Sequence, residues 1–345
     1  MTQPTANTSS STRGPRDSVP RGWPSASSLD RGESLSVPPT HWSDGRELPR
    51  LPPRRANLLI PAVLFVATCY STYLLGRDAF AEYRLTVPTP LGWQSYDDPH
   101  RGGLEYCISV MAVLLAHELG HYLQSLRYRI SASLPLFIPM PISPFGTMGA
   151  VILQRDNSAD RRQMFDIAIS GPIAGMLVAI PLCIWGIQHS YIRDIDPAAP
   201  GSSLGTPLLL DWMSDWIRGP QPETRSLTIN PQLFAGWVGF FITALNLLPI
   251  GQLDGGHILY CLAPRRAPRI SGLVFLGAVS AVVLGGAFYD KRLYSWTLML
   301  LLLWRMGPEH PPTSDDSVSL GWGRTVLGWL TLAFIIIGFT PIPFQ

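Results

Sequence analysis

Residues 117–121 read His117-Glu118-Leu119-Gly120-His121, directly after the apolar run Met111-Ala112-Val113-Leu114-Leu115-Ala116. On a helix the two histidines project from one face and can share a divalent metal. Glu118 stands beside them, placed to take a proton from water at the metal rather than to bind the ion. The same five residues also arise by chance, in helices whose histidines find ordinary polar neighbours. Here, however, the stretch reads as a membrane span. An ionisable side chain near the bilayer centre costs about 2.5–3.5 kcal/mol on insertion scales. A bound zinc contributes roughly 10–16 kcal/mol in structural sites, which outweighs that cost.

A second cluster lies at the end of another long apolar run, where residues 244–257 read ALNLLPIGQLDGGH. Asp254 is a carboxylate near membrane depth, followed by Gly255 and Gly256, which let backbone approach closely. Pro249 breaks the helix before it, so 246–256 is expected to be partly unwound. Unwound backbone at that depth is tolerated only where protein buries it or water lines it. Two histidines and one carboxylate leave a tetrahedral zinc with an open fourth position, the form of a catalytic site. The four cysteines (Cys69, Cys107, Cys183, Cys261) lack ligand spacing and read as small hydrophobes.

With both clusters in view, the chain resembles the site-2 protease family of intramembrane zinc metalloproteases. That family carries His-Glu-x-x-His on one span and Leu-Asp-Gly on a later one, as in Leu253-Asp254-Gly255. The segment Gly146-Thr147-Met148-Gly149-Ala150-Val151-Ile152 is similar to the family's strand-like element after the first motif. Gly171-Pro172-Ile173-Ala174-Gly175 is similar to its small-residue helix. The resemblance covers roughly residues 104–262. It implies Zn2+ held by His117, His121 and Asp254, with Glu118 as general base and Asn246 helping to stabilise the oxyanion. Asn246 and Pro249 match the second motif, whereas Gly251 and Gln252 stand where many members have prolines.

The elements that must position these residues belong to a membrane protein. Hydrophobic residues make up 46% of the chain and charged ones 14%, about half the share of an average soluble protein. The fold class expected is an all-α polytopic membrane protein of about six to seven transmembrane helices. A small hairpin or re-entrant segment and a disordered N-terminal tail complete it. The tail (1–56) is rich in Ser, Thr, Pro and Arg without helical or strand period, and has no apolar signal-peptide core. Its acidic residues fit a bacterial inner membrane better than a plastid membrane. Hydropathy gives spans at 58–76, 104–126, 164–188, 233–262 (bent at Pro249), 270–288, 293–306 and 323–339. The domains expected are the tail; a first helix and loop (57–103); a metalloprotease core (104–262); and C-terminal helices (263–345). With the N-terminus in the cytoplasm, the excess of arginine falls inside, as the positive-inside rule requires. The net charge of +2 therefore concerns orientation, and no basic patch with interleaved aromatics points to nucleic acid.

Between the spans, 131–153 contains Pro135, Pro139, Pro141 and Pro144, which exclude a spanning helix and predict a hairpin or re-entrant segment. Its stretch 147–153, with Thr147, Gly149 and Val151, either offers a free strand edge to an unwound substrate or merely plugs the bundle. Residues 208–218 predict an amphipathic helix on the outer leaflet, with Leu208, Leu209, Trp212, Met213, Trp216 and Ile217 on one face. Residues 86–103 read as a loop or short hairpin. Asp166 is expected to snorkel or to pair with Arg161 or Arg162, and His257 to stand outside the ligand set. The loops are too short for an inserted peptide-binding or nucleotide-sensing module. The reading is thus hydrolysis of peptide bonds within or beside transmembrane segments of membrane-protein substrates. Two other classes remain open: a catalytically silent scaffold, which would keep the fold and lose the base or a ligand, and a metal transporter. The latter requires ligands along a path and internal repeats; one cluster and no repeat are visible.

Overall fold

The computed structural model describes residues 58–343 except 83, 90–91, 154–158, 195–203, 223 and 308–309. The expected N-terminal tail lies outside the described residues. Those described run α1 (Leu59–Ala79), β1 (Arg84–Thr89), β2 (Gly92–Asp97), α2 (Pro99–Arg127), β3 (Leu136–Pro139), β4 (Thr147–Val151), α3 (Arg161–His189) and β5 (Ile192–Asp194). They continue α4 (Leu208–Arg218), β6 (Arg225–Leu227), α5 (Pro231–Asn246), α6 (Asp254–Leu262), α7 (Ala267–Phe288), a 3-10 turn (Lys291–Trp296), α8 (Thr297–Met306) and α9 (Trp322–Gly338). Among the described residues the strands pair as antiparallel ribbons, β1–β2, β3–β4 and β5–β6.

Four of these helices (α1, α2, α3 and α7) are long and apolar enough to cross a membrane. The expected count of six to seven spans is not reached on length. The stretch 233–262 is split into α5 and α6, and 293–306 begins as a 3-10 turn. The split has a local cause: Pro249 lacks the N–H that would continue α5. Polarity runs inside out in α1, where Val63, Val66 and Tyr70 are exposed while Thr68, Ser71 and Thr72 are buried. Thr68 and Thr72 hydroxyls bond back to the carbonyls of Leu64 and Thr68. An apolar exterior over a satisfied polar interior is the arrangement lipid demands.

The centre of the bundle is α2, α3 and α5. Tyr106, Val110 and Val113 of α2 meet Ala179, Cys183 and Ile187 of α3 and Phe234, Trp237 and Phe240 of α5. Tyr106, Phe234, Trp237 and Phe241 stack in series with centroids 5.2–5.9 Å apart. The β3–β4 hairpin is pinned onto this core: Tyr106 donates to the Phe145 carbonyl (2.9 Å) and Ser71 to that of Gly146 (2.6 Å). The prolines of 131–153 thus give a hairpin, with Leu136 opposite Val151 and Phe137 opposite Ala150.

Three local expectations need correction. Residues 84–97 form the β1–β2 hairpin, but Pro99 already starts α2, because the Asp98 side chain caps it at the Arg101 N–H (3.0 Å). The face of α4 divides: Leu209, Met213 and Ile217 pack on the core, while Trp212 and Trp216 stay exposed. Asp166 pairs with neither nearby arginine. It accepts from Arg324 through Nε (2.7 Å) and Nη2 (2.9 Å) and from the Tyr128 hydroxyl. Arg161 and Arg162 bond instead to the carbonyls of Cys261 and Ser319. Replacing Arg324 with Ala leaves a largely buried carboxylate short of two donors. We expect a loss of about 1–3 kcal/mol, read as a lower melting temperature in detergent; an unchanged melting temperature would contradict the pairing.

Candidate metal centre

α2 runs unbroken from Pro99 to Arg127, so His117 and His121 occupy successive turns of one face. Asp254 comes from the opposite direction, as the first residue of α6, after the broken stretch that follows Asn246 at the end of α5. The joint between α5 and α6 is tight: a Cβ on Gly255 would lie 1.8 Å from the Leu247 carbonyl oxygen. Only glycine lets the helix turn back there and aim Asp254 at α2.

Asp254 Oδ2 lies 3.2 Å from His117 Nε2 and 3.3 Å from His121 Nε2, and the two imidazole nitrogens are 3.2 Å apart. Among the described residues this trio is the group of three or more ligand-type side chains whose donor atoms converge. His121 Nδ1 donates to the Ile167 carbonyl on α3 (2.7 Å), which leaves its Nε2 lone pair facing the trio. Three donors with sides of 3.2–3.3 Å lie about 1.9 Å from their common centre. That spacing suits an ion held about 2.0–2.1 Å from imidazole nitrogen and carboxylate oxygen, as zinc is. The donor set therefore fits zinc.

His117, Glu118 and His121 are buried at 4%, 5% and 8% exposure, although the first two line a small cavity and all three a larger one of about 380 Å³. Asn246 lines both cavities, with its Nδ2 3.3 Å from His117 Nε2. Glu118, Asn246 and the trio thus meet at one place. Of the strand residues expected to face a substrate, Gly149 and Val151 line the cavities. Thr147 does not: it is buried, with its hydroxyl donating to the Ile138 carbonyl and accepting from the Gly149 N–H. His257 lines the larger cavity outside the trio and contacts His310.

Two parts of the site leave no mark in the local sequence. The Ile167 carbonyl carries no side-chain signal. His310 sits in a Pro-rich loop far along the chain, where nothing local ties it to α6. A third feature was visible only as small-residue packing. A Cβ on Gly171 would fall 2.1 Å from His121 Nε2, so α3 must present bare backbone to the ring.

The sequence profile of peptidase family M50 matches residues 105–284, a span that contains the trio, Glu118 and Asn246. The match covers more than half of the chain, and the chain belongs to this family. Among curated proteins it is 29% identical over 346 residues to "Probable zinc metalloprotease EGY1, chloroplastic" of Oryza sativa, covering 94% of this chain and 55% of that protein. It is also 29% identical over 248 residues to the Arabidopsis thaliana protein of that name (70% and 43%). To "Probable zinc metalloprotease EGY2, chloroplastic" of A. thaliana it is 27% identical over 246 residues (71% and 43%). The chain spans about half the length of the curated relatives it matches. No solved structure matches it.

Gly171→Ala forces the His121 ring aside without replacing any of the three donor residues. Zinc affinity should fall at least about tenfold while helical content by circular dichroism is kept. An unaltered affinity would contradict the placement of α3 against the ring.

Proposed function

We propose that the chain is an intramembrane zinc metalloprotease that hydrolyses peptide bonds within or next to transmembrane segments of membrane-protein substrates. The observation that carries this reading is the convergence of His117, His121 and Asp254 beside Glu118, in a bundle whose outer surface is apolar. Membership of peptidase family M50 and the names of the relatives support it. In this reading those three residues hold the ion, within a metalloprotease core at 104–262. The first helix and the C-terminal helices flank that core.

Zinc, when bound, polarises water and the scissile carbonyl at neutral pH. Glu118 takes the proton released as the carbonyl is attacked and delivers it to the leaving amine. Burial beside His117 keeps the carboxyl close to the reacting atoms. The Asn246 amide, within reach of His117 Nε2, donates toward the oxygen on which charge develops. A helical substrate hides its carbonyls in hydrogen bonds and must be extended first. β4 pairs with β3 along one edge and lines the cavities through Gly149, Ala150 and Val151, which suits it to take up an extended chain. Thr147 holds the shape of that strand from inside the hairpin.

The chloroplast designations of the relatives favour a plastid membrane over the bacterial inner membrane suggested by the tail composition.

Glu118→Gln separates base from ligand. With β-casein as an unfolded probe in detergent, cleavage should fall by about 10²–10⁴-fold, with about one zinc retained per molecule. Undiminished cleavage by this variant would overturn the role of Glu118.

A further inference from the structure

The larger cavity is bounded by more than the metal-bearing helices and β4. Met306, His310, Pro311 and Pro312 also line it, where the chain passes between α8 and α9. Residues 310–320 contain no helix or strand, yet they are tied down along their length. The Ser314 N–H donates to the Ala159 carbonyl (2.9 Å), the Arg161 N–H to that of Asp315 (3.2 Å) and Arg162 Nη2 to that of Ser319 (2.9 Å). The Tyr260 hydroxyl donates to Asp316 (2.7 Å), which also accepts from Thr313 (2.6 Å). At the cavity end, His310 stacks on the Tyr260 ring, centroids 4.5 Å apart at 22°, and its Nε2 meets His257 Nδ1. Irregular chain pinned at this many points to α6 and to the start of α3 is a fixed wall rather than a flap.

We propose that residues 310–320 form a second wall of the substrate channel, distinct from β4, and that His310 and Pro311 on it touch the substrate chain. The proposal rests on the peptidase reading and adds specificity-determining residues to it. An extended substrate paired to β4 turns its other backbone edge away from that strand and sends successive side chains to opposite faces of the ribbon. Proline has no N–H, so Pro311 and Pro312 cannot donate to substrate carbonyls. This wall therefore packs against side chains and leaves the scissile carbonyl unbonded, as attack at the metal requires. Leu153, Met164 and Met306 line the same cavity, which selects apolar substrate side chains there. Burial holds the His310 imidazole below its ordinary pKa, and its two ring nitrogens meet His257 and the Pro311 carbonyl, so it offers the substrate chain an uncharged ring edge.

Photo-crosslinking tests the wall without turnover. In full-length Glu118→Gln protein, p-benzoylphenylalanine replaces Val151, Pro311 or, as a control, the exposed Leu177 of α3. Irradiation with β-casein should capture the probe from positions 151 and 311 and not from 177. Capture at 151 without capture at 311 overturns the second wall and leaves the peptidase reading standing. Capture at neither position overturns the channel and the peptidase reading together. His310→Ala, in otherwise wild-type protein, should raise KM for β-casein about three- to tenfold with kcat little altered, and zinc content should stay the same. An unchanged KM removes His310 from the contact surface. The crosslink at 311 decides the wall even if His310→Ala fails to fold.

Discussion

Three electron-pair donors, two imidazole nitrogens and a carboxylate oxygen, lie 3.2–3.3 Å from one another inside an apolar bundle. The hydrogen bond from His121 Nδ1 to Ile167 turns one of those lone pairs inward. Bare lone pairs at that spacing repel and have lost their water, so the arrangement is sound only around a cation or a shared proton. The rest of the bundle serves this meeting point. α2 supplies two imidazoles at helical spacing, α3 gives way at Gly171 and fixes a ring through Ile167, and α6 starts at the carboxylate.

The surroundings explain how such a cluster persists at membrane depth. The exposed face of α1 is apolar and its buried face polar but internally bonded, the reverse of a water-soluble helix. The trio opens onto the cavity that it shares with β4 and the chain around His310. A hairpin pinned by Tyr106 and Ser71 lies beside α2, and in the proposed reading it brings an extended chain to that same cavity.

Much of the site could be read in the chain because its signals are local. His117 and His121 are related by helical spacing; Pro249 breaks a helix wherever it falls; and prolines at 135, 139, 141 and 144 exclude a span. What stayed hidden depends on distant partners or on backbone. Asp166 meets Arg324 from the far end of the bundle, although two arginines stand within five residues of it. The Ile167 carbonyl belongs to an ordinary helical residue. Hydropathy ran α5 and α6 together as one bent span, while Pro249 and the double glycine marked the break between them. The face of α4 could not be divided from sequence because tryptophan and leucine count alike in an apolar stripe, while Leu209, Met213 and Ile217 found a core to pack on.

If His117, His121 and Asp254 together hold one zinc, the metal content of detergent-purified protein shows it, wild type compared with Asp254→Ala. About one zinc per molecule is expected in the wild type and a marked loss in the variant, because two imidazoles alone leave the ion under-coordinated. A well-folded wild type without zinc, or a variant that keeps it fully, would mean that these three residues do not hold a metal.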